Sequence, residues 1–230
     1  VASLSLIEEN HTRQVRMGNL AFLASRRVNG VSALHTELMR KTVFRDFGAL
    51  YPERIVNKTN GITFRRWRFQ ANPSLTNLIA EALGPGFTDD TDRLPGLARF
   101  ADDAAFRDRF AAVRRSNKVL LARAIAERTG VSVDPETLFD VHIKRIHEYK
   151  RQLLNLLEAI ALYNEMRAHP ATDWVPRVKI FAGKAAAGYA QAKLIIKLAN
   201  DVARVVNHDP ALRDLLKVVF LPNYNVSLAE

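Results

Sequence analysis

Cysteine is absent from the 230 residues, which excludes disulfides, thiolate metal sites and a cysteine nucleophile, and fits a reducing compartment with the cytoplasm as the default. Long apolar runs are absent too. The longest candidates, such as residues 218–221, are strand-sized and far short of the roughly 20 residues a bilayer span needs, so the sequence does not read as a membrane protein. Glycine and proline number only 10 and 9, and no repeat period is visible, which removes fibrous, solenoid and low-complexity classes. The opening VASLSLIEENHTRQVRM has no initiator methionine and carries acidic residues where a secretory leader is basic, so it reads as a piece of a longer chain.

Apolar residues make up 48%, enough to bury a sizeable core and to exclude intrinsic disorder. The 34 basic and 24 acidic residues leave a net charge of +10, with an isoelectric point near 10.1. An anionic partner follows: nucleic acid, phosphate or a phosphorylated cofactor. Sign alone does not choose among them.

Helical spacing covers 15–27 and 32–42, the second with Leu34, Leu38 and Met39 on one stripe. Between them Asn29 and Gly30 form a turn signal, because glycine accepts positive φ and asparagine tolerates it. The stretch YPERIVNKTNGITFRRW has little periodicity and a second Asn-Gly pair at Asn60 and Gly61; it reads as a crossing between two lobes. Residues 73–83 predict a helix stopped by Gly84-Pro85-Gly86, and 102–129 predict two more helical stretches. From Leu138 the pattern alternates. LFDVHI, 178–181 and 218–221 read as strands, with an amphipathic helix over 153–166 and another helix over 190–206 between them. Such β-α-β-α-β order predicts an α/β fold with a Rossmann-like parallel layer preceded by a mostly helical segment, its ligands lying beyond the carboxyl ends of the strands.

The first predicted strand runs into Lys144-Arg145-Ile146-His147-Glu148-Tyr149-Lys150-Arg151, four permanent cations against one carboxylate. At a strand's carboxyl end and before a helix this cluster suits phosphate; a solvated basic turn is the competing reading. The second strand ends at Phe181-Ala182-Gly183-Lys184, which lacks the upstream glycine and following Ser or Thr of a Walker loop, so tight helix-strand packing is the plainer role. The third ends at Pro222-Asn223-Tyr224-Asn225, and all three exits are expected to converge on one crevice. Six histidines occur, at 11, 35, 142, 147, 169 and 208; His142 and His147 are five apart, wrong for a helical zinc pair, and no metal site is expected. His35 reads as a satisfied core or interface histidine. No Gly-x-Ser-x-Gly elbow is present.

Taken in order, VNGVSALHTE, NKTNGITFRRW, LFDVHIKRIHEYKRQLLN, GKAAAGYAQAKLIIKLANDVARVVNHDP and FLPNYNVSLAE resemble the glycogen (α-glucan) phosphorylases, and NYNVSLAE is similar to the bacterial type. The flank SLIEENHTRQVRMGNLAFL resembles them as well. The resemblance implies two Rossmann-like lobes of the GT-B glycosyltransferase kind with pyridoxal phosphate between them: residues 1–59 would end the first lobe and 60–230 begin the second. It implies an often allosteric, cytoplasmic, homo-oligomeric enzyme. Such enzymes pass a terminal α-1,4-linked glucosyl unit of glycogen, starch or maltodextrin to inorganic phosphate, giving glucose 1-phosphate with retention. By the same resemblance Arg145 and Lys150 grip the substrate phosphate as catalytic cations. Lys144, with Lys150, serves the cofactor phosphate, and Trp67 and Tyr224 surround the pyridoxal phosphate. Tyr149 and Asn60 contact sugar hydroxyls, Val31 lines the glucose, and Tyr189 matches an aromatic at the cleft entrance.

Some positions depart from the family. Phe64 stands where proline is usual, Ala182 and Ala187 replace a glycine and a proline, and Arg26 and Arg27 replace a histidine-containing pair. Asn225 holds a position that is arginine in animal enzymes. None of these removes a phosphate-binding cation. The family's Schiff-base lysine segment has no counterpart here, so an internal fragment is expected that binds no pyridoxal phosphate covalently and is inactive alone. Its uncovered apolar faces would favour dimeric or swapped assembly. Competing classes are a basic nucleic-acid-binding module, motivated by the charge and the KRIHEYKR patch, and a sugar-nucleotide glycosyltransferase, for which no nucleotide site is identified.

Overall fold

The structure, a computed structural model, describes residues 2–9, 12–212 and 215–230; His11 lies outside them. The chain divides into two compact units, Val1–Thr63 and Phe64–Glu230, the division falling inside the stretch read as a crossing.

In the first unit, β1 (Ile7–Glu8) and β2 (Gln14–Val15) pair antiparallel, and α1 (Met17–Ala24) follows. Residues Val28–Gly30 then form a strand, β3, which corrects the expected Asn29-Gly30 turn. Helix α2 (Ala33–Lys41) starts at Ser32, whose Oγ accepts the His35 N–H at 3.1 Å. After α3 (Arg45–Leu50), β4 (Ile55–Asn57) pairs parallel with β3 in the stretch expected to be irregular. Three residues per strand are too few to leave a period in the sequence. Gly30 is required by space rather than by φ: a Cβ there would stand 2.0 Å from Thr36 Oγ1. His35 is exposed, so it is no core histidine. Phe22, Phe47 and Ile55 form this unit's buried centre, the two rings stacked at 4.7 Å.

The second unit opens with a π-helical turn, Arg65–Gln70. Helix α4 (Pro73–Leu83) is capped by Asn72, has proline in its first turn and ends at Gly84 with φ 82°. Residues Ala104–Thr129 form one continuous 26-residue helix, α5, where two were expected; Asp103 caps its start and left-handed Gly130 ends it. No glycine or proline interrupts the run, so nothing breaks it.

The remainder alternates as β5 (Leu138–Ile143), α6 (Gln152–Ala168), β6 (Arg177–Ala182), α7 (Ala190–His208), β7 (Leu216–Leu221) and the short α8 (Val226–Ala229). The strands lie in the order β5-β6-β7, all parallel, Ile143 opposite Ala182 and Ala182 opposite Leu221. Helices cover both faces. Phe181 and Val218 pack with Leu156 of α6 and Ile195 of α7, whereas Ile180 and Val219 pack with Ile125 of α5. Covered on both faces, β6 is buried from Val178 through Ala182, the charged Lys179 included. Helix α6 is less amphipathic than its sequence implied, since Leu154 and Leu157 on its outer side stay exposed. Among the described residues no helix is long and apolar enough to cross a membrane. The architecture is thus α/β, a parallel layer preceded by a mostly helical segment.

Candidate functional site

Parallel order sends all three strands out at the same end of the sheet, and their exits meet in one cavity of about 320 Å³. After β5 comes Arg145, after β6 Gly183 and Lys184, after β7 Tyr224 and Asn225; Trp67 joins them from the π-helical turn. An ion pair between Arg66 and the Glu230 carboxylate ties that turn to the end of α8. Two cations and two aromatic residues therefore line one concave surface, a composition suited to an anion carried on a flat ring.

The backbone beneath is held closely. The Lys144 N–H donates to the Ala182 carbonyl at 3.1 Å and the Ile146 N–H to the Lys184 carbonyl at 3.2 Å, extending the β5-β6 ladder past both strand ends. Gly183 takes φ 154°, and a Cβ there would lie 2.0 Å from the Lys144 carbonyl oxygen. Ile146, 3% exposed, anchors the loop in the core. Beyond it the Glu148 N–H donates to the Tyr189 hydroxyl at 3.4 Å, the Tyr149 N–H to His147 Nδ1 at 3.3 Å and the Lys150 N–H to the His147 carbonyl at 2.9 Å. These bonds hold the loop's backbone, while the side chains of Lys144, Arg145, His147, Glu148 and Tyr149 are exposed.

Of the residues singled out in the sequence, Trp67, Arg145 and Tyr224 come together in the cavity. Lys144, Tyr149 and Lys150 share the loop without lining it. Lys150 Nζ sits 4.5 Å from the centre of the Tyr149 ring, and Tyr149 is 67% exposed. Val31 and Asn60 belong to the first unit, where the Asn60 N–H donates to the Val31 carbonyl at 3.0 Å and continues the β3-β4 pairing. Tyr189 packs edge-on against His147 at 5.1 Å and donates its hydroxyl to the Glu148 carboxylate, which raises its pKa above the usual tyrosine value.

Two groups near the loop titrate or pair in ways the sequence did not announce. Burial, then the neighbouring Lys144 charge, lowers the pKa of His142, whose Nδ1 meets Asn155 Nδ2 at 3.2 Å. Lys179, in the middle of β6 and 2% exposed, pairs with Asp140 at 2.6 Å and with Glu158, and donates to Asn155 Oδ1 at 2.9 Å. Among the described residues no cluster of histidine and carboxylates is arranged to hold a metal ion. A larger hollow of about 470 Å³ opens at the start of the strands beside Asp134, Thr137 and Lys217, but Lys217 Nζ is spent on the Asn207 carbonyl at 3.3 Å.

Sequence reasoning gives no binding role to three members of the site. Lys184 and Asn225 line the cavity, and buried Gln152 supports the loop from α6. The convergence of strand exits was the signal for the first two; Gln152 gave none, being one polar residue in a charged run.

A model of the carbohydrate phosphorylase family matches residues 1–230. The chain belongs to that family. It is 52% identical over 230 residues to the glycogen phosphorylase of Pasteurella multocida, covering all of this chain and 28% of that protein. Against the glycogen phosphorylase of Chlamydia pneumoniae the identity is 49% over 228 residues, covering 99% of this chain and 28% of the relative. The human muscle form is 48% identical over 227 residues, 99% of this chain and 27% of the relative. The carbohydrate phosphorylase chain therefore spans between a quarter and a third of the length of these relatives. Membership implies a parent enzyme that depends on pyridoxal phosphate.

Proposed function

We propose that the chain is the part of a bacterial-type α-glucan phosphorylase that gathers phosphate, and that the parent transfers a terminal α-1,4-linked glucosyl unit to inorganic phosphate to give glucose 1-phosphate. The observation that carries this reading is the single cavity in which Arg145 and Lys184 stand with Trp67 and Tyr224 at the convergence of three strand exits. The first unit ends the first lobe and the second unit begins the second.

The residues present fit a phosphorylated pyridine ring. Trp67 and Tyr224 offer aromatic faces and Arg145 and Lys184 offer two cations, while Gly183 lets the strand exits approach without a side chain between them. When bound, pyridoxal phosphate supplies a second phosphate able to exchange a proton with the substrate phosphate. Two phosphates close together repel strongly where water is excluded, so several fixed cations are needed around them. Arg145 suits a two-pronged clamp, and Lys144 and Lys150, on the same loop, add charges on flexible stems. Tyr149, Asn60 and Val31 serve the sugar. No carboxylate pair is required, because phosphate itself moves the proton.

The reading carries a cytoplasmic, homo-oligomeric parent with it, and the 230-residue chain alone is expected to release no glucose 1-phosphate. The test is to express the whole reading frame that contains the chain and follow phosphate-dependent release of glucose 1-phosphate from an α-1,4-glucan. Phosphate-dependent release that Arg145→Ala abolishes supports the proposal. A frame that binds nucleic acid with steep salt dependence and releases no sugar phosphate would replace it with the nucleic-acid module.

A further inference from the structure

Gln152 is buried to 1% exposure, and nothing in the family reading uses it. Its side chain leaves the first turn of α6 and turns back under the basic loop. There its Nε2 donates to the Arg145 carbonyl at 3.1 Å, and its Oε1 accepts the His147 N–H at 3.4 Å. One amide thus spans the two peptides that flank buried Ile146. Helix α6 has no side-chain cap, its preceding residue Arg151 being left-handed at φ 62°. The amide is therefore committed to the loop rather than to the helix start.

Resting on the phosphate reading above, we infer that Gln152 is a positioning residue for phosphate: its amide fixes the loop so that Arg145 turns into the cavity. The physical reason is pre-organisation. A guanidinium on a loop free to sample other backbone states loses affinity by the fraction of time spent elsewhere. Methionine matches glutamine in length and lack of branching, yet can make neither bond.

The test compares the 230-residue chain with Gln152→Met, using inorganic phosphate as the ligand and amide hydrogen exchange as the second readout. Expected for Gln152→Met is about tenfold weaker phosphate binding with about tenfold faster exchange at His147, the size of one or two lost hydrogen bonds. Exchange at Ile180 and Phe181 in β6 should stay unchanged. Unchanged phosphate affinity, unchanged His147 exchange, or exchange accelerated equally through β6 would each overturn the inference, the last by showing a purely structural role. Should Gln152→Met not fold, Gln152→Glu keeps the acceptor for His147 and loses the donor to Arg145. It is expected to protect His147 while still weakening phosphate binding, and wild-type affinity there would overturn the inference. Failure of the unaltered chain to bind phosphate strikes instead at the reading on which this one rests.

Discussion

Replacing Gly183 by alanine tests how the cavity is built. The residue sits at φ 154°, a region that side-chain-bearing residues occupy at a cost of about 1–3 kcal/mol. The new Cβ would also meet the Lys144 carbonyl oxygen at 2.0 Å and Ile146 Cδ1 at 3.0 Å. A backbone carbonyl cannot rotate away as a side chain does. The strand exits must separate, and the Lys144 N–H to Ala182 and Ile146 N–H to Lys184 bonds lengthen, each worth about 1 kcal/mol net. Together these give about 3–5 kcal/mol of destabilisation, measured by urea unfolding of the 230-residue chain with the slope held as a check on two-state behaviour. Gly188→Ala is the control, since a Cβ there meets nothing within 4 Å, and its effect should stay within about 0.5 kcal/mol. If both variants unfold at the same urea concentration, the close approach of the two strand exits is not what shapes the site.

Lys179→Met should destabilise by about 1–3 kcal/mol in the same assay, less than a fully buried pair, because the Asp140 and Glu158 side chains keep 36% and 49% exposure and can rehydrate. His142 makes stability pH-dependent: its folded pKa is depressed below 6.5, so on acidification the unfolded chain takes up a proton that the folded one refuses. Unfolding free energy should therefore fall as pH drops below about 6.5 toward the depressed value, and His142→Gln should flatten that part of the profile; an unaltered slope would exclude His142 as its source.

The sequence exposed the repeating part of the fold well. Helix α4 spans the residues the sequence predicts, because Pro73 and Gly84 are local start and stop chemistry, and β5, β6 and β7 are visible as short β-branched runs between long helices. The β3-β4 pair stayed hidden. Its stability comes from partners distant in sequence: Asn57 Nδ2 donates to the Gly30 carbonyl and to Thr36 Oγ1, both at 3.0 Å, and Gly30 reads as a turn unless Thr36 is known to press on it. The site divides in the same way. Charge density pointed to the loop holding Arg145 and Lys150, and chain topology to the strand exits. Which side chains line the cavity depends on rotamers and on Gln152 and Gly183 beneath them, and no spacing rule encodes these.

Phosphate binding by the 230-residue chain at low ionic strength, followed by titration calorimetry, bears most directly on the claim that the strand exits form a phosphate site. Arg114 carries the same charge on α5 in the same unit, stacked 5.8 Å from Phe110 and away from the cavity lining. The account predicts one saturable site that Arg145→Ala weakens by about tenfold to a hundredfold, the worth of a charged hydrogen bond, while Arg114→Ala leaves it intact. Equal losses in the two variants would mean that the chain's +10 charge attracts phosphate without a site, and would contradict the account.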